Sequence, residues 1–150
     1  MGRMEPRHVR IDQVTGDDGF ALAWDIRFEV FVEEQQVPVE LERDDLDAVA
    51  THWVAWVDGE PQGTVRLVAE EGGVAHLGRL AVRKPARGTG LGRRLVAVVE
   101  AEGVRLGLER CVLGAQVRAM PFYERLGYAA FGDEFDDAGI PHRWMARPLR

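Results

Sequence analysis

The chain has 150 residues, of which 46% are hydrophobic and 29% are charged, and its formal net charge is −6. This length and balance favour one globular domain over residues 1–150 and exclude a disordered chain. No uninterrupted apolar run is longer than five residues, so the sequence predicts neither a membrane-spanning helix nor a secretory leader, and we expect a cytoplasmic protein without a membrane partner.

The first third of the chain predicts a strand, a helix and an acidic loop. Residues 1–8 are polar and predict a loose leader, and alternating residues predict a strand at Val9–Val14. Aromatic residues then recur at helical spacing and predict a helix that ends before Pro38: Phe20, Trp24, Phe28 and Phe31. Asp17 or Asp18 can cap the N-terminus of this helix.

An acidic stretch follows, and repulsion among its side chains predicts mostly loop over residues 38–47. Its members are Glu33, Glu34, Glu40, Glu42, Asp44, Asp45 and Asp47. Two interpretations stay open. The stretch is either a solvated loop or a rim that attracts a cationic substrate.

The middle of the chain predicts a three-stranded antiparallel meander. Its strands are Thr51–Val57, Thr64–Ala69 and Val74–Val82. Asp58-Gly59 is a hairpin signal, but Pro61 suggests a loop longer than two residues. Gly72-Gly73 predicts the second turn.

The last third predicts two helices and three strands. A helix over residues 90–107 carries one stripe: Leu91, Leu95, Val98, Glu102 and Leu106. A buried strand at Cys111–Ala115, a short helix at Ala119–Leu126 ended by Gly127, and a closing pair of strands at Tyr128–Phe131 and Ile140–Met145 follow. The order predicts an α/β or α+β fold around one mixed sheet. The four tryptophans and Cys111 are expected in the core: Trp24, Trp53, Trp56 and Trp144.

A glycine-rich basic turn, RKPARGTGLGRR at residues 83–94, joins a strand to the long helix. Residues 72–99 contain no Asp or Glu and carry +6, which leaves −12 for the rest of the chain; the cations are Arg79, Arg83, Lys84, Arg87, Arg93 and Arg94. Free backbone N–H groups at a helix N-terminus bind anions, so the turn predicts an anionic ligand rather than nucleic acid. A plain surface loop is the alternative. A P-loop is excluded because its lysine motif is absent, and a dinucleotide fingerprint is disfavoured because Arg93 replaces its third glycine.

The turn resembles the pyrophosphate loop of the GNAT N-acetyltransferase superfamily, R/Q-x-x-G-x-G/A, through Arg87, Gly90 and Gly92. QVRAMPFYERLGY at residues 116–128 is similar to the second signature of that family, with Gln116 where many members have Asn. VFVEEQQVP at residues 30–38 and AGIPH at residues 138–142 resemble the small ElaA-like branch.

The resemblance implies a mixed, splayed sheet of about six to seven strands flanked by helices, with acetyl-CoA between its separated strands. Pantetheine would pair with Leu80, Ala81 and Val82, and a backbone N–H near Leu80 would polarise the thioester carbonyl. The remaining cofactor contacts implied are Arg87, Gly88, Thr89, Gly90, Leu91, Gly92, Arg93 and Gln116. No spacing of His, Asp and Glu indicates a metal.

The implied function is an N-acyltransferase that moves an acetyl group from acetyl-CoA to a small-molecule or peptide amine by direct attack. Tyr123 is the candidate general acid, with a core residue as the alternative, and Glu33 and His142 are substrate-side candidates. Several side chains are conceivable general bases: Glu29, Glu33, Glu34, His76, Glu134 and His142. A catalytically idle CoA-binding sensor or assembly module is the second hypothesis, and a nucleotide-binding regulatory domain is the third. A homodimer is compatible with the sequence, but no residue argues for one.

Overall fold

The computed structural model describes residues 8–150, so the predicted leader lies outside the described residues except for His8. The strands are β1 (Val9–Val14), β2 (Thr51–Val57), β3 (Glu60–Glu70), β4 (Val74–Val82), β5 (Arg110–Gln116), β6 (Ala129–Asp137) and β7 (Ile140–Pro148). The α-helices are α1 (Gly16–Arg27), α2 (Val39–Glu42), α3 (Leu91–Arg105) and α4 (Met120–Arg125). A π-helix, Phe28–Glu34, continues α1, and short 3₁₀ turns occupy Asp45–Ala48, Lys84–Ala86 and Val117–Ala119.

The seven strands form one sheet in the order β1-β2-β3-β4-β5-β7-β6. All neighbours are antiparallel except β4 and β5, which are parallel. This parallel pair is short, since it joins only Val74–His76 to Arg110–Val112. Beyond it the strands separate, and the predicted mixed, splayed sheet flanked by helices is confirmed.

Helices cover the two faces of the sheet over different strands. α3 packs on one face, where Leu95 and Val99 contact a core that includes Leu77 and Leu113. α1 packs on the other face over β2, β3 and β4. The buried face of α3 differs from the predicted stripe, because Val96, Val99 and Gly103 are buried whereas Leu106 is 46% exposed.

Several local predictions are wrong for identifiable reasons. Thr15, not an aspartate, occupies the N-cap of α1, without a side-chain cap hydrogen bond. The β2–β3 turn contains only Asp58-Gly59, both at positive φ, because Pro61 lies inside β3 beside a β-bulge rather than in the loop. Residues 38–47 are not mostly loop, since α2 and a 3₁₀ turn fold there.

Candidate active site

A cavity of about 1500 Å³ occupies the opening between β4 and β5. At one end it is lined by the glycine-rich turn and the first residues of α3. At the other end it reaches side chains of β6 and β7, including Phe135, His142 and Trp144. The cavity therefore connects the N-terminus of α3 with the opposite face of the sheet.

The turn before α3 exposes backbone donors to this cavity. Gly88 and Gly90 have φ values of 76° and 85°, a region that favours glycine. The first bond of the helix runs from the N–H of Arg94 to the oxygen of Gly90 (3.2 Å), so the N–H groups of residues 91–93 have no partner within the helix. The Thr89 hydroxyl donates to the oxygen of Ala86 and closes the turn. This geometry suits an anion.

Arg87 lies at the cavity mouth, where its exposed side chain is held by hydrogen bonds. Its Nε donates to the oxygen of Val82 (2.8 Å), and its Nη2 donates to both carboxylate oxygens of Glu34 (2.8 and 2.7 Å). Sequence reasoning had named Glu34 only as one of several bases. The π-helix explains its position: the N–H of Gln35 bonds to the oxygen of Val30, five residues back, and the wider turn directs Glu34 into the cavity wall.

The six cations of residues 72–99 do not form one patch. Only three line the cavity, and two of these are bound by carboxylates, Arg79 by Glu42 and Arg87 by Glu34; the third is Arg93. Arg83 donates to the oxygen of Pro61 (2.8 Å) and lies 3.4 Å from Glu29. The anion site is therefore smaller than the charge pattern predicted.

β4 contains a β-bulge at the centre of the cavity wall. Thr64 pairs with Ala81 and Arg66 pairs with Gly78, so β4 has one residue more than β3 over this interval. Arg79 adopts a φ of 54°, which is unusual for a residue with a side chain. Because β5 no longer pairs with β4 here, backbone groups of residues 77–82 on that edge are available to a ligand. No sequence signal marks this bulge.

A network of ion pairs binds the bulge through the side chain of Arg79. Its six members are Arg27, Arg66, Arg79, Glu42, Asp44 and Asp47. Arg27 is 1% exposed and binds Glu42 and Asp47, while Arg79 binds the carboxylate of Glu42 at 2.9 Å. Three of the seven acidic residues, Glu42, Asp44 and Asp47, are thus paired with arginines and do not form a cation-attracting rim. Others of the stretch are solvent-exposed: Glu33, Glu40 and Asp45.

The network shifts the pKa values of its three carboxylic acids in different directions. Burial alone would raise the pKa of Asp47, but hydrogen bonds and charge from Arg27 and Arg66 outweigh it and lower that pKa to about 2. Asp44 also has a lowered pKa, because Arg66 and Arg79 outweigh its burial. Burial dominates at Glu42 and raises its pKa despite Arg79 and Arg27.

We expect the free energy of unfolding to fall as the pH drops from about 4 to about 2. Asp47 titrates near 3.8 when unfolded and near 2 when folded, so its contribution is complete above the first value and is lost as pH falls through the second. The shift corresponds to about 2 kcal/mol. Urea denaturation at several pH values measures it. An Asp47→Asn variant with the same acid dependence as the parent would contradict the assignment.

Tyr123 belongs both to the core and to the cavity wall. It is 8% exposed, and its ring packs edge-to-face against Phe122 (4.9 Å) and Tyr128 (5.9 Å). Among the hydrogen bonds of residues 8–150, none involves its hydroxyl. Burial, and to a lesser degree Cys111, raises the pKa of Tyr123 well above its usual value. The phenol therefore stays neutral and is a hydrogen-bond donor rather than a strong acid.

The other predicted site residues differ in whether they line the cavity. Gln116 lies at the cavity mouth and donates to Gln35 (2.8 Å). His142 lines the cavity, and its Nδ1 lies 2.7 Å from the oxygen of Ile140. Since a carbonyl oxygen only accepts, Nδ1 carries the proton and Nε2 has the lone pair in the neutral ring. Glu33 is exposed and does not line the cavity, because the π-helix turns its neighbour Glu34 inward instead.

Two further predictions concern the core. Cys111 is fully buried, and burial raises the pKa of its thiol to about 11, which fits a packing residue. Trp53 is in the core, but Trp144 lines the cavity.

Residues 8–150 contain no group of three or more His, Cys, Asp or Glu side chains arranged around a common metal position. No helix in the same range is long and apolar enough to cross a membrane.

Comparison with known proteins gives consistent matches. The model of a family described as an acetyltransferase (GNAT) domain matches residues 11–149. The uncharacterized N-acetyltransferase YjcF of Bacillus subtilis is 37% identical over 126 residues, which are 83% of this chain and 89% of YjcF. The crystal structure of an acyl-CoA N-acyltransferase from Pseudomonas aeruginosa has a TM-score of 0.82 and 30% identity, covering 95% of this chain and 99% of that one. Escherichia coli ElaA shares the fold, with a TM-score of 0.81 and 23% identity over 93% of this chain and 99% of its own. The chain belongs to the GNAT acetyltransferase family.

Proposed function

We propose that the protein transfers an acetyl group from acetyl-CoA to the nitrogen of an amine within a ternary complex. The observation that supports this most is the cavity through the splayed sheet, with an anion site at one end and an open acceptor region at the other. Pyrophosphate fits the backbone donors of residues 91–93, beside Arg93. The unpaired edge of β4 beyond His76 fits the amide groups of pantetheine. The single, buried Cys111 is compatible with action in the reducing cytoplasm, which is part of the proposal.

In this reaction the protein contributes three interactions. The amine nitrogen attacks the thioester carbon, the carbon–sulfur bond breaks, and the products are an N-acetylated amine and the CoA thiolate, which takes a proton from solvent. Leu80 follows the bulge residue Arg79 and lines the cavity, and in this proposal its N–H stabilises negative charge on the carbonyl oxygen. Tyr123 donates a hydrogen bond to the departing sulfur, and Nε2 of His142 accepts a proton from the amine, directly or through water.

Binding and turnover test this proposal separately. Calorimetry should show acetyl-CoA binding with at least tenfold higher affinity than ATP, since the turn lacks a P-loop lysine. Mass spectrometry of amine mixtures with acetyl-CoA should then show products heavier by one acetyl group. Binding without any acetylated product would favour the catalytically idle CoA-binding module. Equal affinity for ATP would contradict the choice of acetyl-CoA.

We expect Tyr123→Phe to lower kcat by about 10²-fold, within the range for one donor to a developing negative charge. The raised pKa of Tyr123 makes full proton transfer unfavourable, because a thiol has a pKa near 8.5. The lost interaction is therefore a hydrogen bond to sulfur. Stability should hold or rise slightly, since the removed hydroxyl has no hydrogen bond among residues 8–150. Steady-state kinetics and thermal melting measure both.

The only other tyrosine, Tyr128, supplies a matched control. Its hydroxyl donates to Glu100 at 2.8 Å, so Tyr128→Phe should cost about 1 kcal/mol of stability and leave kcat within threefold. If Tyr123→Phe instead loses stability and retains kcat, Tyr123 is a core residue only. The sulfur would then need another donor.

A further inference from the structure

Aromatic rings form the cavity wall on the face of the sheet opposite α3. The ring wall consists of His76, Phe135, His142 and Trp144. Phe135 stacks on Trp144 (centroids 5.0 Å apart, planes 27° apart) and on His142 (5.6 Å, 27°), and His76 meets Trp144 edge-on at 5.7 Å. Such a wall offers ring faces and edges to a ligand.

Gly114 explains why the ring wall lies close to β5. A Cβ at this position would be 3.4 Å from the ring of Phe135 and 3.5 Å from that of Trp144. The absent side chain lets both rings approach the strand that borders the opening. The ring wall therefore begins at the separation of β4 and β5, where the thioester is proposed to lie.

The facing rim of the cavity is also apolar. Four of the exposed large hydrophobic residues lie in the short segment 39–49: Val39, Leu41, Leu46 and Val49. Leu41 is 55% exposed and Leu46 is 42% exposed, and both line the same cavity. Glu42 also lines the cavity but is buried and paired with Arg27 and Arg79, so Leu41 and Leu46 are the exposed side chains that this segment contributes. Exposed apolar clusters of this kind mark binding surfaces.

Few charges are left to recognise a polycation here. Glu70 is paired with His76 at 2.9 Å. Glu42, Arg66 and Arg79 are held in the network. Asp137, at the end of β6, is the exposed lining carboxylate that has no ion pair within residues 8–150. A spermidine-like acceptor would need several such carboxylates.

We propose that the acceptor is a primary amine attached through a short alkyl chain to a planar aromatic group. The aromatic group lies between the ring wall and the rim of Leu41 and Leu46, and the nitrogen points to the opening between β4 and β5. Asp137 attracts the protonated amine at entry. This inference rests on the proposed acetyl transfer and adds the class of acceptor.

The test compares acceptors at fixed, saturating acetyl-CoA. We expect kcat/KM for 2-phenylethylamine and tryptamine to exceed that for spermidine and for n-butylamine by at least tenfold. Leu46→Gln should lower kcat/KM for 2-phenylethylamine about tenfold without changing acetyl-CoA affinity measured by calorimetry. Leu106→Gln is the matched control, because Leu106 is similarly exposed (46%) but does not line the cavity.

The outcomes separate this inference from the proposal beneath it. Faster acetylation of spermidine than of both aromatic amines would overturn the aromatic acceptor and leave acetyl transfer intact. The same would follow if Leu46→Gln and Leu106→Gln changed kcat/KM equally. Acetyl-CoA binding with no product from any of the four amines would overturn the aromatic acceptor, and only the absence of product from the broader amine mixtures would also overturn acetyl transfer.

Discussion

Asp47→Asn is expected to lower the free energy of unfolding by about 3 kcal/mol, as removal of one partner from a buried ion pair does. Asp47 is 7% exposed in its side chain and binds Arg27 at 2.7 Å and Arg66 at 2.8 Å. The isosteric amide keeps the shape, removes the charge and replaces one of two accepting oxygens with an NH2 donor. Both guanidinium groups are then buried with less charge compensation and fewer acceptors. Urea denaturation near pH 7 measures it.

Asp45→Asn is the control for this variant. Asp45 belongs to the same 3₁₀ turn and undergoes the same charge change, but it is exposed and forms no ion pair within the described part of the chain. Its effect should stay within about 0.5 kcal/mol. Equal effects of the two substitutions would show that net charge, and not the buried network, sets the stability of residues 39–48.

The strands could be predicted from two kinds of pattern: β1 and β5 alternate between buried and more exposed residues, whereas β2 and β3 are apolar runs buried on both faces. The predicted bounds of β1, β2 and β4 agree with the structure. The start of β3 and the end of β6 were missed, since tight turns at Asp58-Gly59 and Ala138-Gly139 let pairing continue farther than the polar residues suggested. The end of β7 was missed because its pairing with β5 continues to Pro148. Local pattern thus defines a strand but not where its hairpin closes.

The ion-pair network could not be predicted, because its partners are distant in sequence. Arg79 lies 35 residues from Asp44, and Arg66 lies 19 from Asp47. In isolation the acids repel one another, and the sequence therefore favoured a loop. The tertiary fold supplies the arginines: β3 and β4 contribute Arg66 and Arg79, and the end of α1 contributes Arg27. The same tertiary contacts hold Arg79 at positive φ.

The candidate site was predictable where it depends on local backbone geometry. Gly88 and Gly90 have the positive φ values that an anion-binding turn needs. In the acceptor half, His142 was predicted as a substrate-side residue and lines the cavity, but the rest of the wall was not predicted, since it combines β4, β6 and β7. Gly114 was a further available signal: a glycine inside a strand indicates close approach of another group, and here rings of β6 and β7 approach it.

Gly90→Asp is expected to weaken acetyl-CoA binding about 10³-fold. Gly90 precedes the three free N–H groups of α3, so a carboxylate there lies beside the proposed pyrophosphate position. Two like charges 4 Å apart repel by about 4 kcal/mol at an effective dielectric constant of 20. A Cβ at Gly90 would meet only Nη2 of Arg93, at 3.8 Å, so the side chain fits. Calorimetry with acetyl-CoA measures the loss.

Gly90→Asn separates charge from backbone strain. Both substitutions place a side chain at a φ of 85°, and Asn and Asp tolerate this region better than most residues. We expect Gly90→Asn to keep acetyl-CoA affinity within tenfold of the parent and to melt at the same temperature as Gly90→Asp. Equal losses in the two variants would mean that backbone conformation, and not charge, governs binding. Parental affinity in Gly90→Asp would place the anion away from the α3 N-terminus, because a carboxylate about 4 Å from a phosphate would repel it.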